Sequence, residues 1–353
     1  MTQTDAQPRV RVLVVEDSLI VSKQLVHLLS ADPQIDVVGT AADGIEALTW
    51  LEHNPVDVVT MDIVMPRLNG LEATRRIMST RPVPIIIISG GYGDDEAGAT
   101  FSALEAGAVA FMGRPSGGLG TPEGQPASEA IRRMVKLMAE VKLVRRRAPM
   151  AAAPLSSGSV GERLIALGAS AGGPPVVASI LSELPGDLAA AVLLVQHIDA
   201  GFVQGLVDWL RTKTALPVHC AADGQPVRAG QVYVAPADRH MTLGPNDTIA
   251  LNSGPPEHGV RPAVSCLFRS LAAGAANRTA AALLTGMGVD GAAELRSLKA
   301  QGALTLAQDE DSSVVHGMPG EAIRLGAARY VLSPPMIARS LGRWATDSRD
   351  DLG

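Results

Sequence analysis

Short apolar segments rich in valine and isoleucine alternate with segments of helical periodicity along most of this chain, and this alternation restricts the possible folds. In the N-terminal part the apolar segments are VRVLVVE, IDVVG, DVVTMD, PIIIIS and AVAFM. β-Branched segments bounded by Gly, Pro, Asp or Asn favour strands over buried helices. Strands that alternate with helices indicate a parallel sheet covered on both faces. The N-terminal part is therefore predicted to be a doubly wound, five-stranded parallel α/β domain.

A second α/β unit is predicted after an unpatterned stretch. The stretch VRRRAPMAAAPLSSGSVGE (144–162) has no apolar periodicity, which is typical of a linker. Beyond it, RLIALGAS, AAVLLVQH, QVYVAP, TAAALLTGMG and GALTLAQD are predicted strands, and MTLGPNDTIAL is a predicted hairpin. The predicted C-terminal fold is a mostly parallel α/β sheet with this hairpin added. The predicted domains are 9–128, a helix end and linker at 129–160, and 161–346.

Composition excludes several classes of protein. Lys and Arg total 30 against 36 Asp and Glu, a net charge of −6, which argues against nucleic acid or an anionic membrane as the main partner. No apolar run approaches the roughly 18 residues of a spanning helix, so no direct membrane insertion is expected. The N-terminus MTQTDAQPRV does not resemble a signal peptide, and two cysteines are too few for a disulfide framework. We expect a cytoplasmic protein.

Polar residues follow several strands of the first predicted sheet. Glu16 and Asp17 follow the first strand, Asp62 the third, Ser89 ends the fourth, and Arg114 follows the last. Ligands of parallel sheets bind beyond the carboxyl ends of the strands, and carboxylates gathered there suit Mg²⁺. One carboxylate is then available to accept a phosphoryl group. Each acid taken singly is better explained as a helix cap, but the combination favours a pocket.

The motifs VLVVEDS, MDIVMPRLNGLEA, IIIISG and GRP resemble the receiver domain of two-component signalling proteins. The resemblance implies that Asp62 accepts the phosphoryl group. It also implies that Mg²⁺ is held by the carboxylates of Asp17 and Asp62 and the backbone carbonyl of Val64, with Glu16 nearby.

The resemblance further implies a receiver switch formed by Ser89, Phe111 and Arg114. Arg114 departs from the family, which has Lys there, and the two cations bind phosphate differently. We expect phosphorylation to survive this change, whereas the strength of activation is open. The segment GGYGDDEAGAT (90–100) is a second departure, expected to be an unusually long loop.

In the second domain, the motif GASAGGP lies between a predicted strand and a helix. Such a turn either binds a phosphate at the helix N-terminus or presents a nucleophilic serine, here Ser170. The dinucleotide fingerprint needs Gly at that position and an acidic residue about 20 residues later, and the chain has neither.

The strand LLVQHID ends instead at His197, and the loop TGMGVDGAA carries Asp290. Ser170, His197 and Asp290 each follow a strand of one sheet, so they can converge as nucleophile, base and orienting acid. Helix capping explains Ser170 or Asp290 taken alone, and a lone His is commonly structural, so spacing by itself leaves both interpretations open. No pair of histidines has the i, i+4 spacing of a helical zinc site, and no zinc is predicted.

Together GASAGGP, VQHI, YVAPADRHMTL, EHGVRPAV, LLTGMGVDGA and AQDEDSSVVHGMP resemble the chemotaxis response-regulator protein-glutamate methylesterases. The resemblance covers about residues 9–346 and implies hydrolysis of glutamate methyl esters, and deamidation of glutamines, on chemoreceptor helices. It implies that Ser170 attacks the carbonyl, His197 transfers the proton and Asp290 orients His197. The backbone N–H groups of Ala171 and Met287 are implied to form the oxyanion hole.

The same resemblance implies methyl-accepting chemoreceptors as substrates, a chemotaxis histidine kinase as phosphodonor, and no cofactor in the esterase domain. Two residues depart from the family pattern: Ala171 replaces an expected Thr, and Ser265 replaces an expected Asp. We expect the unphosphorylated receiver to restrain the esterase and phosphorylation to release it.

Two other functions remain to be weighed. The chain can be a signalling adaptor or phosphate sink whose second domain is a docking platform with a weak or vestigial esterase, an interpretation that rests on Arg114 and on segment 90–100. A transcription factor is less favoured, because the second domain has no recognition-helix pattern and the chain is acidic.

Overall fold

The chain divides into two units, Met1–Leu143 and Val144–Gly353. The computed structural model describes residues 9–89, 94–114, 124–140 and 163–346. The predicted linker at 144–162 therefore lies outside the described residues. A helix at Gln125–Ala139 runs across the predicted boundary between residues 128 and 129. The domain limits from sequence stay predictions.

The N-terminal unit contains a five-stranded sheet in the order β2-β1-β3-β4-β5, and every pair of neighbouring strands is parallel. The three inner strands, β1, β3 and β4, are buried along most of their length, as expected for a sheet covered on both faces. The sheet confirms the predicted fold class. The strands are β1 (Val10–Val15), β2 (Ile35–Ala41), β3 (Val58–Met61), β4 (Ile85–Ser89) and β5 (Ala110–Gly113).

Within the described residues, four helices connect these strands and a fifth follows β5, and polar side chains cap three of the five. Ser18, Asp43 and Asn69 each accept a hydrogen bond from a backbone N–H of the first turn. The expected long loop at 90–100 is wrong in part, because the chain is already helical from Asp94. The helices are α1 (Leu19–Ser30), α2 (Gly44–His53), α3 (Gly70–Thr80), α4 (Asp94–Glu105) and α5 (Gln125–Ala139).

The C-terminal unit contains a seven-stranded sheet in the order β14-β13-β12-β6-β7-β9-β8, again with every neighbouring pair parallel. A separate antiparallel hairpin, β10–β11, confirms the hairpin expected from sequence. The strands β8 and β14 were not predicted. The strands are β6 (Arg163–Ala169), β7 (Ala190–Gln196), β8 (Val218–Cys220), β9 (Val232–Val234), β10 (His240–Gly244), β11 (Thr248–Asn252), β12 (Thr279–Leu283), β13 (Leu304–Gln308) and β14 (Tyr330–Leu332).

Small side chains let the helices of this unit lie close to its sheet. A Cβ added at Gly168 of β6 would lie 2.5 Å from Cγ1 of Val264, so no larger residue fits between that strand and the helix against it. None of the described helices is long and apolar enough to cross a membrane. The helices are α6 (Gly173–Glu183), α7 (Val203–Arg211), α8 (Val264–Gly274), α9 (Ala292–Ala300), α10 (Met318–Arg324) and α11 (Pro334–Thr346).

The strand order of the second sheet reverses at β6. The chain continues to β7 on one side of β6, and β12 lies on the other side. Such a reversal opens a crevice at the carboxyl ends of the strands, where ligands of open α/β sheets bind. The residues that follow β6, β7 and β12 are therefore brought to one place.

Candidate active site

Ser170 lies in the tight turn between β6 and α6. Its backbone N–H donates to the carbonyl of Thr285 (3.0 Å), and its carbonyl accepts from the N–H of Gly173 (2.8 Å). Gly172 has φ of 73°, a conformation that side chains other than glycine rarely adopt. The glycines of GASAGGP therefore shape the turn that carries Ser170.

His197 follows β7 directly and contacts Asp290. Ala169 pairs with Gln196 across the parallel ladder, so Ser170 and His197 are the next residues on two adjacent strands, about 5 Å apart. The N–H of His197 donates to the carbonyl of Ala169 (2.9 Å). Nε2 of His197 lies 2.9 Å from Oδ2 of Asp290. The imidazole therefore turns its Nδ1 away from the carboxylate.

Asp290 is buried but fully hydrogen-bonded. Its carboxylate accepts the backbone N–H groups of Val264 (2.6 Å) and Ser265 (2.9 Å) in the first turn of α8, as well as His197. Burial raises the pKa of the Asp290 carboxyl, but the interactions with His197 and Ser265 outweigh this and leave the pKa below its ordinary value. Asp290 is thus held as an anion in a fixed orientation.

Gln196 joins the ends of β6 and β7, a contact that is not predicted from the sequence. Its buried side-chain Nε2 donates to the carbonyl of Ser170 (2.8 Å) and to that of His197 (2.9 Å). One amide group therefore sets the spacing of the backbones that carry the two residues. The only sequence signal is a polar residue at the end of an otherwise apolar strand.

Two backbone donors border Ser170. A Cβ added at Gly286 would lie 2.7 Å from Cβ of Ser170, so the loop after β12 passes directly against the serine. Within the described part of the chain, neither the N–H of Ala171 nor that of Met287 donates a hydrogen bond. Both groups are thus available to a substrate oxygen, which supports their assignment as oxyanion donors.

Thr285 and Gln308 hold the loop after β12 in place through hydrogen bonds. Oγ1 of Thr285 donates to the carbonyl of Ala171 (2.9 Å) and accepts the N–H of Val315 (2.9 Å), while Oε1 of Gln308 accepts the N–H of Thr285 (2.8 Å). Both side chains are fully buried. Because buried polar groups need partners, this network holds the loop in one arrangement.

In the N-terminal unit, the carboxylate oxygens of Glu16, Asp17 and Asp62 lie within 4.8 Å of one another. A terminal nitrogen of Arg114 lies 2.6 Å from Glu16 and 3.0 Å from Asp62. Burial, followed by the charge of Asp62, raises the pKa of the Glu16 carboxyl to about 7 against the opposing effect of Arg114. A set of close carboxylate oxygens fits Mg²⁺, which prefers oxygen ligands.

The predicted switch residues lie on β4 and β5. Ser89 is buried at the end of β4 and its carbonyl accepts the N–H of Arg114 (2.9 Å). Phe111 pairs with Ile87 across the ladder, and its ring packs edge-on against Phe101 of α4 with centroids 5.5 Å apart. Val64, the predicted backbone ligand, lies in the β3–α3 loop with its side chain exposed.

Comparisons with known proteins agree with this layout. A family model described as CheB methylesterase matches residues 165–341, and one described as response regulator receiver domain matches residues 12–117. A protein of Nitrosospira multiformis named protein-glutamate methylesterase/protein-glutamine glutaminase is 48% identical over 341 residues, 94% of this chain and 96% of that protein.

A similarly named protein of Geobacter metallireducens is 49% identical over 341 residues, 94% of this chain and 98% of its own length. The crystal structure of the Thermotoga maritima CheB methylesterase catalytic domain is 34% identical in sequence. The match covers 52% of this chain and 99% of that domain, and its TM-score is 0.51.

Proposed function

This chain belongs to the CheB methylesterase family, and on that basis we propose that it is a protein-glutamate methylesterase and protein-glutamine glutaminase. Its substrates are methyl-esterified glutamates and certain glutamines on the cytoplasmic helices of methyl-accepting chemoreceptors, and the reaction serves chemotactic adaptation. The observation that carries the proposal is the contact between His197 and Asp290 at the strand ends that also present Ser170.

The first half of the reaction forms an acyl-enzyme. Oγ of Ser170 attacks the ester carbonyl carbon while His197, held through Nε2 by Asp290, takes the hydroxyl proton at Nδ1. When the tetrahedral intermediate collapses, its bond to the methoxy oxygen breaks and His197 returns the proton, so that methanol leaves. With glutamine the leaving group is ammonia.

Water completes the cycle. His197 takes a proton from a water molecule, whose oxygen attacks the acyl carbon, and the proton then returns to Oγ of Ser170 as the bond to the serine breaks. The product is a glutamate carboxylate. The N–H groups of Ala171 and Met287 donate to the carbonyl oxygen while it carries negative charge, and one such donor is typically worth roughly 10²–10³ in rate.

The receiver supplies the regulation. Asp62 accepts the phosphoryl group from a chemotaxis histidine kinase, and Glu16, Asp17, Asp62 and the carbonyl of Val64 would hold Mg²⁺. Bound Mg²⁺ neutralises negative charge on the phosphoryl oxygens. Ser89, Phe111 and Arg114, of which Arg114 contacts Asp62, form the switch that responds to the phosphoryl group.

The test is methanol release from methylated chemoreceptor, with Ser170→Ala as the variant. Ser182→Ala is a matched control, because Ser182 is an exposed serine of α6 that donates only to a carbonyl of its own helix. Release by wild type and by the control, but not by Ser170→Ala, supports the hydrolase. Release that persists in Ser170→Ala contradicts the assigned nucleophile, and no release from any of the three favours the adaptor.

A further inference from the structure

Ser265 occupies the position where the family pattern has Asp, and it is fully buried in the first turn of α8. Its backbone N–H donates to Oδ1 of Asp290 (2.9 Å), and its hydroxyl oxygen accepts the N–H of Gly291 (2.9 Å). The second bond holds the peptide unit that directly follows Asp290. Ser265 therefore fixes Asp290 both through its carboxylate and through its backbone.

The hydroxyl of Ser265 is oriented by Glu294. It donates to Oε2 of Glu294 in the first turn of α9 (2.8 Å). A serine hydroxyl rotates freely unless its proton has a fixed acceptor. With the proton committed to Glu294, a lone pair of the oxygen points at the N–H of Gly291.

Arg269 keeps Glu294 in place and compensates its charge. A terminal nitrogen of Arg269 lies 3.1 Å from Oε1 of Glu294, and the guanidinium also forms two bonds of 2.9 and 2.8 Å with Glu257. The side chain of Glu294 is only 16% exposed. The Glu294 carboxylate is thus held in a fixed position beside the loop that carries Asp290, and it is not a mobile surface group.

We propose that Glu294 is a positioning residue for the triad, which acts through Ser265 to hold Asp290 against His197. The Ser265 hydroxyl and the Glu294 carboxylate act together, since the hydroxyl accepts the N–H of Gly291 and donates to Glu294. The proposal rests on the proposed function only in that it concerns the same triad. Glu294 itself contacts neither His197 nor Asp290 through a hydrogen bond.

The experiment compares Glu294→Ala, Ser265→Asp and the double variant in the full-length chain. We expect Glu294→Ala to lower kcat for methanol release about tenfold, equivalent to about 1.4 kcal/mol, with KM unchanged. Ser265→Asp alone places two carboxylates at hydrogen-bonding distance and also lowers kcat. In the double variant the new carboxylate at position 265 accepts the N–H of Gly291 in place of the serine hydroxyl, so most of the lost rate returns.

Two further measurements separate positioning from other effects. Glu257→Gln is the matched control, because it removes the other negative charge beside Arg269 and leaves the Ser265–Glu294 bond, so kcat stays within about twofold of wild type. The labelling rate of Ser170 by a fluorophosphonate probe follows triad geometry without a receptor substrate. It falls in Glu294→Ala and recovers in the double variant.

The proposal is overturned if Glu294→Ala matches wild type in kcat and in labelling. It is also overturned if both rates fall and the double variant, shown by circular dichroism to be folded, does not recover. If wild type releases no methanol while Ser170 labelling still follows Glu294, the proposed function fails and the positioning role stands.

Discussion

At the scale of single residues, the ionised form of Asp290 determines which nitrogen of His197 carries a proton. The two backbone N–H groups that the carboxylate accepts hold it in one orientation, in which Oδ2 also accepts the imidazole N–H. Nε2 of His197 then carries a proton, and Nδ1 is left as the basic nitrogen. The proton position that catalysis needs is therefore set by Asp290 and the first turn of α8.

Replacing Asp290 with Asn tests this dependence. We expect Asp290→Asn to lower kcat for methanol release by roughly 10²- to 10⁴-fold, because the amide neither stabilises the imidazolium nor selects the correct tautomer. Initial rates against pH measure the effect. Asp208→Asn on α7 is the control, since Asp208 pairs only with exposed Arg211 and Gln204. A rate for Asp290→Asn within twofold of wild type contradicts the assignment.

Arg114 is the second residue whose charge matters. Its guanidinium touches both Glu16 and Asp62, so it compensates the same carboxylates that would bind Mg²⁺. We expect Arg114→Ala to bind Mg²⁺ several-fold more tightly, because a competing positive charge is removed. Isothermal titration of the full chain with MgCl₂ measures this.

Arg11→Ala is the control for the Mg²⁺ measurement. Arg11 pairs with Asp57 (2.9 Å) at the opposite end of β1, so its loss leaves the acidic cluster as it is. Equal or weaker Mg²⁺ binding by Arg114→Ala would show that the arginine does not compete with the cation.

At the scale of elements, close backbone approach at the β12–α9 loop builds the site. A Cβ added at Gly286 would lie 2.7 Å from Cβ of Ser170 and 2.5 Å from Sδ of Met318. We expect Gly286→Ala to displace the serine turn and to lower kcat at least tenfold, about 1.4 kcal/mol. Gly274→Ala is the control, because the added methyl group on α8 meets nothing within 4 Å. An active Gly286→Ala would argue against this packing.

The ion pair between Glu257 and α8 gives stability a defined pH dependence. The hydrogen bonds from Arg269 and then Cys266 lower the pKa of the Glu257 carboxyl from 4.5 to about 2. A carboxyl with a lowered folded-state pKa stabilises the fold fully above its unfolded-state pKa, and this stabilisation disappears as the pH falls toward the folded value.

Thermal unfolding of Glu257→Gln tests this dependence. We expect the variant to have a lower Tm than wild type at neutral pH, and the difference to shrink as the pH falls from about 4.5 to about 2. Glu321→Gln on α10 is the control, since Glu321 pairs only with the exposed Arg324 and contributes little. A difference that stays constant down to the lowest pH contradicts the assigned ion pair.

At the scale of the whole molecule, a receiver domain and a methylesterase domain lie in separate units of one chain. We expect a small-molecule phosphodonor with Mg²⁺ to raise the rate of methanol release by wild type, and no such rise in Asp62→Asn. Asp36→Asn is the control, because Asp36 is an exposed aspartate of β2. If the phosphodonor does not change the rate of methanol release by wild type, the esterase is not regulated by phosphorylation.

Periodicity alone was sufficient for most of the architecture. Long β-branched runs such as that of β4 are recognisable because burial on both faces demands continuous apolar sequence. The three-residue strands β8 and β14 were not predicted because most of their residues are not buried, whereas β9, equally short, is buried throughout and was predicted. The acid- and glycine-rich segment 90–100 predicts a loop, whereas the chain is helical from Asp94.

The sequence by itself determined the order of elements and the acidic residues at the strand ends of the first sheet. It also determined Ser170, His197 and Asp290 as the candidate catalytic residues of the second. These follow from local order, since the carboxyl ends of parallel strands share one edge whatever their register. Only the tertiary structure decided which groups hold those candidates in place. Gln196 and Glu294 act across 26 and 29 residues of chain, on Ser170 and Ser265, and such contacts leave no periodic trace in sequence.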